Sequence, residues 1–306
     1  LIKISITLRK FIASLCLVFS FEAFSSSISD IKIAAGSMGG AYYPVALQFC
    51  SFITKYSPIT NCDVISTSGS INNLNLLSTE KVDFAFVQSD VALDAFRGEG
   101  VFSNQKPYSD LRIVLNLFPE VFSVMTRGDS GIVNFSDLSG KKIGVNLKGS
   151  GAMSGFMNLF KYFKFDKDPQ IIQVADSGMP AKLCGREVDV VVLFTGHPSS
   201  VASSIASYCK TEFVSIDPIK LGNMITDTKV YESYTIPSGF YSGILRNTGT
   251  FATRAIFTAN ADTPSSKVAL IKGLIDKHFE EFQKLHPVLT GLQRGQVFSP
   301  GTIVSY

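Results

Sequence analysis

The chain has little charge and few of the side chains that carry chemistry. Of its 306 residues, 17% are Asp, Glu, Lys or Arg, and only three are histidine. Net charge is +3, from 28 basic against 25 acidic residues, and the lysines are scattered rather than blocked. No nucleic-acid partner is expected from such a balance. Cys-x-x-Cys and clustered Cys/His pairs are missing, which excludes the common zinc arrangements. A Gly-x-Ser-x-Gly elbow, a Walker loop and a dinucleotide fingerprint are missing too, so catalysis is disfavoured and no cofactor is expected. The apolar run over 11–21 is shorter than the roughly 20 residues a membrane helix needs.

What the chain does have is one pattern written twice. Lys32-Ile33-Ala34-Ala35-Gly36-Ser37-Met38-Gly39-Gly40 and Lys142-Ile143-Gly144-Val145-Asn146-Leu147-Lys148-Gly149-Ser150-Gly151 each read as a short strand running into Gly and Ser. A helix-like stretch follows each copy, and then a second matching strand, Val82 to Val87 or Val188 to Leu193. Two similar α/β lobes are expected. Glycine lets the backbone turn tightly beside a ligand, and a following helix presents unpaired N–H groups that attract anions. Two such places facing each other would grip a small acidic molecule from both sides.

Residues 1–25 differ from the rest. Lys3, Arg9 and Lys10 precede the apolar run, and Ala23-Phe24-Ser25 offers small residues for cleavage, the form of a secretory signal peptide. An exported, periplasmic protein is expected, with an uncleaved anchor as the alternative. Beyond the leader stand Cys50, Cys62, Cys184 and Cys209. The lobe assignment pairs Cys50 with Cys62 and Cys184 with Cys209, one of three full connectivities; free buried cysteines are the alternative.

Along the chain, helices are expected over 41–55 and from Ser70, which would cap its helix, and an amphipathic helix over 265–283. Pro119 to Thr126 reads as an extended crossing into the second lobe, and Tyr234 to Tyr241 as the return. Lobe 1 is then 26–118 with 242–306, and lobe 2 is 119–241; two crossings imply a hinge.

In combination and order, the motifs resemble the TAXI-type solute receptors of tripartite ATP-independent periplasmic (TRAP) transporters. The carriers are Gly36 to Pro44, Ser68-Gly69-Ser70-Ile71-Asn72-Asn73-Leu74, Asp83 to Asp90, Asp137-Leu138-Ser139-Gly140-Lys141, Gly149-Ser150-Gly151, Gly196-His197-Pro198 and Ile236 to Tyr241. The resemblance covers almost all of the chain past the leader. It implies an α/β, two-lobed periplasmic-binding-protein fold, type II-like, with a hinge and a cleft between the lobes. It further implies a monomeric receptor that closes on a small organic acid or amino acid, glutamate, glutamine or a dicarboxylate among them, and delivers it to a TRAP permease. Ala152 and Met153 stand where this family often has Thr and Arg, and Ser299 where it commonly has His; these departures bear on ligand identity more than on fold.

The expected ligand contacts follow. Ser37 and Tyr42, with the nearby Gly39, offer hydroxyl and backbone donors in the first lobe, and Ser70 lies on the neighbouring loop. Asn73 and Gln88 carry amides that both donate and accept, although Asn73 equally fits a helix surface. Ser89 and Asp90 contact ligand or cap their helix, and Asp90 would repel an acidic ligand unless it meets an ammonium or a cation. Gly149, Ser150 and Gly151 are the second lobe's anion holders. His197 binds ligand or fixes its loop, and Tyr241 lids the pocket or packs in the hinge. The rival readings are an enzyme on the same fold and a surface adhesin or antigen.

Overall fold

A computed structural model describes residues 30–300 together with Ile303 and Ser305. The expected signal peptide and Ser26 to Ser29 lie outside the described residues.

The first half of the chain folds as β1 (Asp30–Ala34), α1 (Tyr42–Tyr56), β2 (Asn61–Ile65), α2 (Ser70–Ser78), β3 (Phe84–Gln88), α3 (Ser89–Arg97) and the 17-residue β4 (Leu111–Arg127). Then come β5 (Lys142–Val145), α4 (Gly151–Phe160), β6 (Gln170–Gln173), α5 (Met179–Cys184), β7 (Val190–Gly196), α6 (Ser200–Tyr208), β8 (Thr211–Phe213), α7 (Pro218–Thr228) and β9 (Glu232–Ile236). The chain closes with β10 (Thr248–Asn260), α8 (Ser265–Lys277) and α9 (Phe279–Lys284), ahead of short C-terminal turns.

All strands join one mixed sheet in the order β2-β1-β3-β10-β4-β7-β5-β6, with β8 added to β4 and β9 to β10. The repeat seen in the sequence is a repeat in space. β1 lies between β2 and β3, and β5 between β6 and β7, all parallel. In each half an aspartate clips the first and third strands together. Asp83 Oδ2 accepts the Lys32 N–H at 2.8 Å, and Asp189 Oδ2 accepts the Lys142 N–H at 2.8 Å.

Helices cover both faces of each half. Apolar residues of α1 at helical spacing, Tyr42, Val45, Ala46, Phe49 and Phe52, bury a stripe against Phe86, Phe257 and Phe282. The opposite face takes Leu74, Leu77 and Val91 from α2 and α3. In the second half Phe156 and Leu159 of α4 and Leu221 and Met224 of α7 cover one face, and Leu183 and Ile205 of α5 and α6 the other. β3, buried at all five positions, reads as the continuous apolar run of a strand covered on both sides. Both cysteine pairs are bridged within their own half, Cys50 to Cys62 and Cys184 to Cys209.

Four local expectations are corrected. The crossing expected over 119–126 is part of one continuous strand, β4, that begins at Leu111. Pro119, lacking an N–H, sits in β4 opposite Arg254, where the pairing with β10 shifts register. The return runs along β10: Thr248 to Ala252 pair with β9, and Ala255 to Ala259 with β3. The change of side therefore falls near Thr253, and position 241/242 lies in the connection before β10. The helix expected over 265–283 breaks at His278, whose ring stacks on Tyr56 at 3.8 Å while Phe279 and Phe282 turn into the α1 core. Ser70 is the first residue of its helix rather than the cap. Gly69 takes the cap position at φ +120, and Ser70 Oγ accepts the Gln88 N–H at 3.0 Å.

Candidate functional site

The carboxyl ends of the strands in the two halves face each other across a cavity of about 70 Å³. Ser37 and Tyr42 reach it from the β1–α1 turn, Ser68, Gly69 and Ser70 from the β2–α2 turn, and Gln88 from the end of β3. Glu120 enters from the middle of β4, Asn146, Ser150 and Gly151 from the β5–α4 turn, and Asp176 from the turn after β6. Phe194 and Thr195 close the far wall. This is the crevice at strand carboxyl ends where α/β sheets place ligands.

The halves touch directly across it. Ile71 and Asn72 donate backbone N–H groups to the Gly149 carbonyl at 3.0 and 3.4 Å, and Ser200 Oγ donates to the Gly39 carbonyl at 3.2 Å. Ser37 Oγ donates to Asp176, whose other oxygen accepts Asn146 Nδ2 at 2.7 Å. Gly151 lies so close to Gln88 that a Cβ placed on it would stand 1.3 Å from Gln88 Oε1. Only glycine fits there in this closed arrangement.

The electrostatics are acidic. Glu120 is 3% exposed, and Tyr42 donates its hydroxyl to Glu120 Oε2 at 2.8 Å. Burial pushes the Glu120 carboxyl up to about 8, against the smaller opposing pull of Tyr42 and Gln88, with the nearby Asp90 charge adding to the rise. Burial raises Asp176 as well, partly offset by Ser37 and Asn146. Behind Gln88, Asp90 accepts the Tyr231 hydroxyl at 2.8 Å, and burial carries it to about 6. Gln88 Oε1, Ser150 Oγ and Asp90 Oδ1 are buried without a hydrogen-bond partner. Such atoms are costly to leave unpaired, and the first two line the cavity.

Of the residues singled out in the sequence, Ser37, Tyr42, Ser70, Gln88, Ser150 and Gly151 line this cavity. The others fall outside its lining. Gly39 and Gly149 form the contacts between the halves just described. Asn73 is fully buried and ties β1 to β3 by donating its amide to the Ala35 carbonyl and, at 2.7 Å, to that of Phe86. Ser89 pairs with Thr253 at 2.8 Å, and Asp90 with Tyr231. His197 and Tyr241 pair with each other at 2.6 Å, and the Tyr241 oxygen also accepts the Ser199 N–H at 2.8 Å. Tyr241 packs against Phe213, and burial lowers His197 to about 4, so this pair fixes the turn before α6.

Glu120 and Asp176 were not anticipated. The available signal for Glu120 is one carboxylate inside the apolar run Leu117-Phe118-Pro119-Glu120-Val121-Phe122. Asp176 repeats, in the second half, a polar residue just past a strand end.

Solved structures share this fold at low identity. The ligand binding component of an ABC-type import system from Staphylococcus aureus matches at 12% identity over 88% of this chain and 81% of its own, with a TM-score of 0.51. A protein of Bordetella bronchiseptica RB50 matches at 15% identity over 85% of this chain and 70% of its own, with a TM-score of 0.50. The fold is thus that of the two-lobed binding proteins. The sequence profile of the NMT1-like family matches residues 33–304, and the chain belongs to the NMT1-like family.

Proposed function

We propose that this protein is an extracytoplasmic solute-binding receptor. It captures a small organic acid or amino acid by closing its two lobes and hands it to a membrane permease of the TRAP type, as the TAXI resemblance implies. The observation that carries this reading is the cavity between the lobes. Both lobes contribute polar groups to it, and buried polar atoms of its lining residues Gln88 and Ser150 lack partners. The ligand binding component from Staphylococcus aureus, alike in fold, supports the transport role.

Closure supplies the second lobe's contacts after the first has bound, so ligand shifts the population toward the closed form by its differential affinity. Ser37, Tyr42, Ser70, Gln88, Ser150 and Gly151 are the contacts this reading assigns. Its test is small-angle scattering on refolded, ligand-stripped protein titrated with an equimolar mixture of amino acids and small carboxylic acids. A ligand-dependent fall in radius of gyration with a matching rise in melting temperature supports it. An unchanged radius and melting temperature overturn it.

A further inference from the structure

Two carboxylates, Glu120 and Asp176, line the cavity, and none of its lining residues is Lys, Arg or His. Asp90 stands behind them, 4% exposed. A dicarboxylate entering this space would give up its hydration with no side-chain cation in the lining to meet either charge. The partnerless buried atoms point the same way. Gln88, 2% exposed, has its Oε1 without a hydrogen-bond partner, packed against Gly151. Ser150 Oγ, on a residue 5% exposed, is also unused at the start of α4, and the free N–H groups of that helix terminus suffice for one carboxylate. A metal ion does not fit: among the described residues no group of three or more His, Cys, Asp or Glu is placed to hold one.

We infer that the cleft takes its solute by the cation: a compact, ammonium-bearing molecule of neutral or positive net charge whose nitrogen lies on Glu120, with acidic solutes rejected. This rests on the receptor reading and narrows it. An ammonium on Glu120 favours the ionised carboxylate, which burial otherwise keeps protonated near neutral pH, so binding releases a proton.

The test uses ligand pairs that differ in one charged group, L-alanine with pyruvate, L-glutamate with 2-oxoglutarate and L-glutamine with L-glutamate, together with putrescine and succinate, which differ at both ends. Titration calorimetry on the refolded protein at pH 7, in phosphate and in Tris, reads affinity and proton release together. The expected result is that the member with the more positive net charge binds at least tenfold tighter in every pair that binds, with protons released. Glu120→Gln lowers the affinity for that member at least tenfold. Tighter binding of pyruvate, 2-oxoglutarate or succinate overturns the cation assignment and leaves the receptor reading standing. Silence from every probe overturns the receptor reading and the assignment with it. The paired comparison is made on the natural chain, so it decides even where the variant fails to fold.

Discussion

The Tyr42 hydroxyl lies 2.8 Å from Glu120 Oε2, joining the first turn of α1 to the middle of the strand that links both halves. It holds a buried carboxylate that lines the cavity. Tyr42→Phe removes the donor and keeps the ring packed on Phe86. The expected loss is about 1 to 3 kcal/mol of stability, the usual cost of stranding a buried acceptor. Urea unfolding checks it; a loss below about 0.5 kcal/mol would show the contact to be dispensable.

The Glu120 carboxyl gives the empty protein a pH signature. Its value is about 8 in the fold against 4.5 as a free group, with Tyr42, Gln88 and Asp90 facing it. Between those two pH values the native state holds a proton that the unfolded chain has lost, so stability falls as pH rises. At most about 5 kcal/mol is involved. Asp90 acts in the same direction and His197 in the opposite one, so the comparison is natural protein against Glu120→Gln. The stability difference between them should change steadily from pH 5 to pH 8 to the disadvantage of the natural chain; a constant difference would contradict the buried carboxyl.

Much of this was legible in the sequence, for physical reasons. Glycine loops ahead of helices and the Val-Asp pairs at 82–83 and 188–189 mark local structure, and both halves fold as their repeats imply. Glu120 escaped because a lone charge in an apolar strand has no period to betray it. Asn73 misled in the opposite sense: an amide on a short polar helix looks solvated, yet it is wholly buried and bonded to two strand ends. His197 drew attention by rarity, and only its pairing with Tyr241 shows what it holds.

Gly151 permits closure because Gln88 Oε1 occupies the space of its absent Cβ. Gly151→Ala should therefore favour the open form, with a larger radius of gyration by scattering and ligand affinity reduced at least tenfold, a loss of about 1.4 kcal/mol. Adding Gln88→Ala to the same chain should restore the compact radius, a coupling expected only of residues in contact. Independent effects of the two substitutions would refute that relationship.

The Cys184 to Cys209 bridge spans 25 residues and joins α5 to the end of α6. Replacing both cysteines with alanine should lower stability by about 2 to 4 kcal/mol, as loop closure of this length implies. Denaturant unfolding of the doubly substituted and natural chains measures it. An equal midpoint for the two would mean the bridge adds nothing.

The strand β4 runs unbroken from one lobe into the other, and β10 runs back beside it, paired on both sides of the register shift at Arg254. A connection of this kind behaves as a flat spring. Two hydrogen-bonded ribbons resist stretching and sliding, because either would break the ladder, and yield most easily by flexing across their plane. In the proposed closure, relative motion of the lobes would thereby reduce to one soft coordinate, with Glu120, in the middle of β4, displaced least.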